Sequence, residues 1–221
     1  MIMPIDLICI QECINLYKGE HGKIKDVLEH RKVIEVKHTE FSIGFYNGRI
    51  IVTVRGSDGT ADWIENFKFW KTTNKIKTFN ARVHEGFCEG YEDIKEPMRE
   101  ELRVLDNFIF NGHSRGGGIV QRAALDYIGL KFFDITTFGS PRAVDYRTAN
   151  FINSNVAISK RFTYKNDIVT HLPTAFMNFC HLKGHITLGK ESFWDKVNPI
   201  DDADDHRPEH YENEIAKALL K

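Results

Sequence analysis

Gly112-His113-Ser114-Arg115-Gly116 sets a serine between two glycines, at the point where an apolar run, Phe108-Ile109-Phe110, gives way to a helix-like segment. The chemistry such a serine could do is acyl transfer. In Gly-x-Ser-x-Gly the turn is tight enough to lift the hydroxyl clear of the backbone. The flanking glycines let strand and helix approach closely there. The helix that follows directs its first amides toward the place where an oxyanion develops. In that turn Arg115 acts through its backbone N–H. Its side chain reads as an outward, solvated charge, with contact to an anionic head group as the alternative.

A serine nucleophile needs a base, and the base needs an orienting carboxylate, in chain order Ser, Asp or Glu, His. Asp167, in "KNDIVTHLP", follows the apolar stretch "RFTYK". Open α/β sheets carry functional groups at such carboxyl ends of strands. With Asn166 beside it, Asp167 also fits an ordinary turn former. The downstream histidines are His171, His181, His185, His206 and His210. His171 sits in the loop of Asp167 itself. His181 and His185, with Cys180, have a spacing that zinc could use, but no further cluster completes four ligands. His206 and His210 lie late, in "DADDHRPEHY", where a loop histidine can reach back to the serine. The acidic run Asp201 to Asp205 lacks the glycine and terminal glutamate of an EF-hand loop. It reads as a solvated loop whose charge favours a protonated His206.

The elements that must position these groups follow from periodicity. Residues 4–30 read as helix. "FSIGFYNGRIIVTVRGS" is two apolar stretches around Asn47-Gly48, a hairpin signal. Helices are predicted over 91–105, 117–128, 143–154 and 209–220, and strands over 107–111, 132–138 and 161–165. "ADWIENFKFW" gathers Trp63, Ile64, Phe67 and Trp70 on one helical face. Strand and helix alternating through the centre predict a parallel βαβ core, with antiparallel strands near one edge. Neither a repeat nor a Pro/Gly-rich break divides the 221 residues, so one domain over 1–221 is expected.

Composition narrows the function. Hydrophobic residues at 42% and charged residues at 28% fit a globular protein. A net charge of -1 argues against a nucleic-acid partner. No apolar run approaches the roughly 18 residues of a membrane span. The start, "MIMPIDLICIQECINLY", has no basic n-region and carries Asp6 and Glu12. It reads as part of the mature fold and not as a signal peptide. With four scattered cysteines (Cys9, Cys13, Cys88 and Cys180) this points to reduced thiols and a cytoplasmic location. Cys9 and Cys13 read as small buried residues.

Taken together, the segments resemble the class 3 lipases, a family of α/β-hydrolases. "GHSRGG" matches the family elbow, with Arg115 in place of the usual leucine. "VTVRGSDGTADWIENF" resembles its oxyanion strand and the segment after it. "VHEGF", "FGSPRAVD", "KNDIVTHLP" and "DHRPEHY" match further family motifs in order, from Ile50 to Tyr211. The first fifty residues are not diagnostic. The resemblance implies an α/β-hydrolase fold, with a central, mostly parallel sheet flanked by helices. It implies Ser114 as nucleophile, Asp167 as triad acid and His206, five residues before the tyrosine, as base in preference to His210. Ser57 and the Arg115 amide would form the oxyanion hole. The helix bearing Trp63, Ile64, Phe67 and Trp70 would be a lid, with fixed core packing as the alternative. His84 and His113 read as hydrogen-bonded supports, and Arg142 as an ion-pair partner.

The expected activity is hydrolysis of a lipid-like carboxylic ester through an acyl-enzyme, without metal or cofactor. The implied partners are an ester substrate and, transiently, a lipid surface. Phospholipase A or acyltransferase chemistry on the same triad is one alternative. A non-catalytic lipid-binding relative is another.

Overall fold

Alternation on the central strands decides how the layers form. On β6 (Phe108–His113), Phe108 and Phe110 are buried in one apolar cluster and Ile109 in another. Successive strand residues face opposite sides of a sheet, so both faces of β6 are covered. The computed structural model describes residues 3–22, 27–57, 71–76, 79–190 and 204–220.

Seven strands form the sheet: β1 (Glu29–Val36), β2 (Thr39–Tyr46), β3 (Arg49–Val54), β6, β7 (Phe133–Phe138), β8 (Ser159–Tyr164) and β9 (His185–Leu188), in that spatial order. The pairs β1–β2 and β2–β3 are antiparallel, and β3 through β9 run parallel. This is the mostly parallel sheet with antiparallel edge strands that the sequence predicts. A separate hairpin pairs β4 (Lys71–Ile76) with β5 (Phe79–His84). Asn47 (φ 48) and Gly48 (φ 75) both take left-handed backbone between β2 and β3, which a two-residue hairpin turn of this hand requires.

Helices α2 (Glu85–Glu101), α3 (Arg115–Tyr127) and α4 (Tyr146–Asn155) contribute to one core layer, with Phe87, Ile119, Val120 and Ile152 buried against the sheet. On the other face α1 (Ile5–Gly22) and α5 (Pro208–Ala218) supply Ile8, Ile10, Ile14, Tyr211 and Ile215. Cys9 and Cys13 are buried here among them, as small apolar residues.

Two expectations are corrected. The helix read over 4–30 ends at Gly22, and Glu29 begins a strand. The chain already leaves helical geometry at Gly19, whose φ is 62. The helix expected at 91–105 starts six residues earlier. His84 caps it by accepting the Gly86 N–H at its ring Nδ1, 3.2 Å away. The proposed lid residues Trp63, Ile64, Phe67 and Trp70 lie outside the described residues.

Candidate active site

Three strand ends bring the candidate residues to one edge of the sheet. Ser57 follows β3, Ser114 follows β6, and Asp167 follows β8. All three strands are parallel, so their carboxyl ends share that edge.

Ser114 holds φ 57, ψ -130, a conformation L-residues rarely adopt. The surroundings impose it. A Cβ at Gly112 would meet the Gly116 backbone at 2.5 Å, and one at Gly116 would meet the Val54 carbonyl oxygen at 2.1 Å. Only glycine lets β6 turn into α3 this tightly beside β3. The Ser114 amide donates to the Phe138 carbonyl at 3.0 Å, tying the turn to β7. Ser114 is 2% exposed.

Asp167 is fully buried and surrounded by donors. Its carboxylate accepts the Val169 N–H at 2.9 Å, the Tyr211 hydroxyl at 2.5 Å, and His206 Nδ1 at 2.8 and 2.9 Å. A carboxylate only accepts, so His206 Nδ1 carries the proton. His206 Nε2 is then the lone-pair nitrogen, and it is buried without a hydrogen-bond partner among the described residues. No hydrogen bond joins it to Ser114 among the described residues. A group in this state is set up to accept a proton. His210, the rival base, is turned away: it stacks on Tyr164 at 5.0 Å and bonds Asp204 at 3.2 Å.

His113, just before the serine, packs over the His206 ring at 4.6 Å between centroids. Its Nε2 meets the His206 carbonyl at 2.9 Å, so Nε2 carries the proton and Nδ1 accepts from the Tyr17 hydroxyl, 2.9 Å away. Burial, and then the neighbouring His206, hold the His113 ring well below the ordinary histidine range. It stays neutral and tethers the backbone that carries His206. The support role expected of His113 and His84 matches these contacts.

Arg115 departs from expectation. Its side chain is partly buried and not an outward surface charge. A Cβ at Gly90 on α2 would lie 2.7 Å from Arg115 Nη2, so the absence of that carbon makes room for the guanidinium. Burial pushes its pKa down while Asp93 and Glu89 pull it up. Arg115, Arg55 and Ser57 line a cleft of about 370 Å³ that also takes in Lys37, Glu35 and Glu40. Arg142 also departs: it makes no ion pair among the described residues. Its Nη1 donates instead to the His171 carbonyl and, at 2.9 Å, to the Pro173 carbonyl.

Sequence reasoning used Tyr211 only as a spacing marker and passed over Tyr17. The place of Tyr211 one turn into an amphipathic helix, and of Tyr17 near the end of the largely buried first helix, is the signal for buried phenols that need partners.

The model of the family "Lipase (class 3)" matches residues 51–177, more than half of the chain. A relative named secreted mono- and diacylglycerol lipase 1, from Fusarium solani, is 29% identical over 195 residues, covering 81% of this chain and 56% of its own length. The secreted mono- and diacylglycerol lipase A of Penicillium cyclopium is 26% identical over 157 residues, 67% of this chain and 48% of its own. The chain thus spans about half the length of these relatives. Among solved structures, a lipase from Rhizopus microsporus var. chinensis superposes with a TM-score of 0.71 at 21% identity, over 85% of this chain and 74% of that one. That likeness establishes the α/β-hydrolase fold. The cytoplasmic location expected from the amino terminus is corrected: the matched relatives are named as secreted proteins.

Proposed function

The chain belongs to the class 3 lipase family, and from that premise we propose that it hydrolyses carboxylic esters of lipids by a serine mechanism. The observation that carries this reading is His206. One ring nitrogen is held by the buried Asp167 carboxylate, and the other is buried and unpartnered beside the strained Ser114 turn.

In this reading Ser114 Oγ attacks the ester carbonyl carbon and its proton passes to His206 Nε2. The imidazolium that forms keeps its Nδ1–H on Asp167, which stabilises it without taking the proton. The carbonyl oxygen, now an anion, is met by the amides of Ser57 and Arg115. Each such donor contributes roughly 3 kcal/mol in comparable sites. Collapse of the tetrahedral adduct expels the alcohol, which takes the proton from Nε2. Water, activated by the same nitrogen, releases the acid from Ser114. The acyl donor is a glyceride-like ester, the class named for the fungal relatives. Ser114 is nearly inaccessible, which fits an enzyme that opens on contact with a lipid surface. The aromatic face of Trp63, Ile64, Phe67 and Trp70 is the segment we assign to that lid.

The test is labelling with a fluorophosphonate probe, alongside hydrolysis of a diacylglycerol and a short p-nitrophenyl ester. The wild-type chain labels at Ser114 and turns over both esters. A Ser114→Ala chain does neither. Absence of labelling in a folded, full-length wild-type protein would sink the catalytic reading and leave a lipid-binding relative.

A further inference from the structure

Arg161 lies on β8 and is only 9% exposed. Its guanidinium makes no hydrogen bond and no ion pair among the described residues, and its Nε is fully enclosed without a partner. A buried guanidinium without a counter-charge is costly, so folded proteins almost always pair one. Here the charged neighbours, Arg142 and Lys165, have the wrong sign. Arg161 lines a cavity of about 230 Å³ together with Arg142, Lys165, His181 and His185, and no carboxylate lines it among the described residues. None of Ser57, Ser114 and His206 borders this cavity.

The donors converge from separate elements. Arg161 and Thr163 come from β8, and His185 and Thr187 from β9. Arg142 comes from the loop after β7, and Lys165 from just past the end of β8. Several of these groups are already fixed by the protein. His185 Nε2 is 2.7 Å from Thr163 Oγ1, and Arg142 is anchored on two carbonyls. His181 Nε2 lies 2.8 Å from the Thr170 carbonyl, so it carries the proton, and Nδ1 is enclosed without a partner among the described residues. Lys165 pairs with Asp205 at 3.6 Å. Burial and the adjacent Arg142 draw the Arg161 pKa down to about 10, the response of a cation kept beside another cation.

We propose that this cavity is a binding site for a phosphate-class oxyanion, with Arg161 as its central ligand. A tetrahedral oxyanion accepts hydrogen bonds from many directions at once. A planar guanidinium flanked by the Lys165 ammonium, the His185 ring and threonine hydroxyls supplies donors in that arrangement, and an anion there would favour the proton that His181 Nδ1 lacks. The anion would provide the charge that Arg161 lacks. Two sources carry this chemistry: free phosphate and the phosphomonoester head group of a lipid. The site is separate from the ester chemistry at Ser114 and stands or falls apart from it.

The experiment has two arms. In the first, inorganic phosphate and sulfate are titrated into the full-length protein by calorimetry, at ionic strength matched with chloride. Saturable binding is expected, weakened at least tenfold in Arg161→Met, less in Arg161→Lys, and measurably in His185→Ala, which alters an exposed position. Arg161→Met should itself melt above wild type in chloride, because it removes an unpaired buried charge. That guards against loss of binding through misfolding. In the second arm, the Ser114→Ala protein is sedimented with vesicles of phosphatidylcholine, with and without phosphatidic acid. Arg161-dependent binding to phosphatidic acid assigns the head group as the source. Arg161-dependent binding of phosphate alone assigns the free ion. Equal responses of wild type and Arg161→Met in both arms would overturn the proposal.

Discussion

Tyr211 donates its hydroxyl to Asp167 Oδ2 at 2.5 Å, inside the core, from a helix that begins just after His206. One tyrosine thereby fixes the carboxylate and anchors the chain that delivers the base. The phenol is a dependable donor, because burial and the Asp167 charge hold its pKa well above the ordinary value. Its ring also packs edge-on to Phe138 and His113. Tyr211→Phe keeps that packing and deletes only the hydroxyl. A hydrogen bond to a charged group contributes about 1.5–3 kcal/mol. We expect the variant to lose stability in that range by urea unfolding, with ester hydrolysis falling because His206 loses a rigid partner. Wild-type stability in Tyr211→Phe would show that Asp167 needs no third donor.

The elbow makes a separate prediction about strain. Ser114 stands at φ 57 with no glycine's freedom. Such a residue costs on the order of 1–3 kcal/mol. Ser114→Gly should be inactive yet melt above wild type, while Ser114→Ala should be inactive without that gain. Equal melting temperatures for the two variants would mean the turn stores no strain.

The two late histidines separate cleanly in the structure. His206→Ala should cost as much ester turnover as Ser114→Ala, since nucleophile and base act as a unit. His210→Ala removes a ring stacked on Tyr164 and a bond to Asp204, and should leave turnover within about tenfold, or about 1.4 kcal/mol of barrier. The reverse ranking, measured on one soluble ester, would move the base to His210.

The elbow was legible because sterics allow so few residues there: the strand, the serine and the paired glycines announce one geometry. The central strands were legible because they are apolar on both faces. β1 was not. "EHRKVIEV" is an edge strand with a half-exposed burial pattern, and its first two residues read as the end of the preceding helix. β9, four residues long with three of them exposed, gave no periodicity at all. Tyr17 and Tyr211 lie 194 positions apart in the chain yet both contact His113. Nothing local marks such a meeting. The Arg161 cavity was hidden for the same reason, since its lining comes from β8, β9 and the loops after β7 and β8.

Acid should destabilise the fold through its buried imidazoles. His181 is drawn down to about 3, by burial first and then by Arg161, and His113 is drawn well below the ordinary 6.5 by burial and by His206. Both pKa values are lower in the folded chain than in the unfolded one. Below 6.5 the unfolded chain therefore binds protons that the folded chain refuses, and stability falls as pH falls. Each such group contributes about 1.4 kcal/mol of loss per pH unit, down to its own folded value. Glu12 acts the other way. Burial raises its pKa above 4.5, against the bonds from Ser42 and Arg31, so it takes up a proton on folding over part of the same range. Two histidines against one carboxylate leave a net loss. Urea unfolding at about pH 7, 6 and 5 should show stability dropping at each step. Phosphate or sulfate in the Arg161 cavity would lessen the drop, because an anion there favours the protonated form of His181. A flat profile over that range would mean that these rings find water or a partner and are charged in the folded protein.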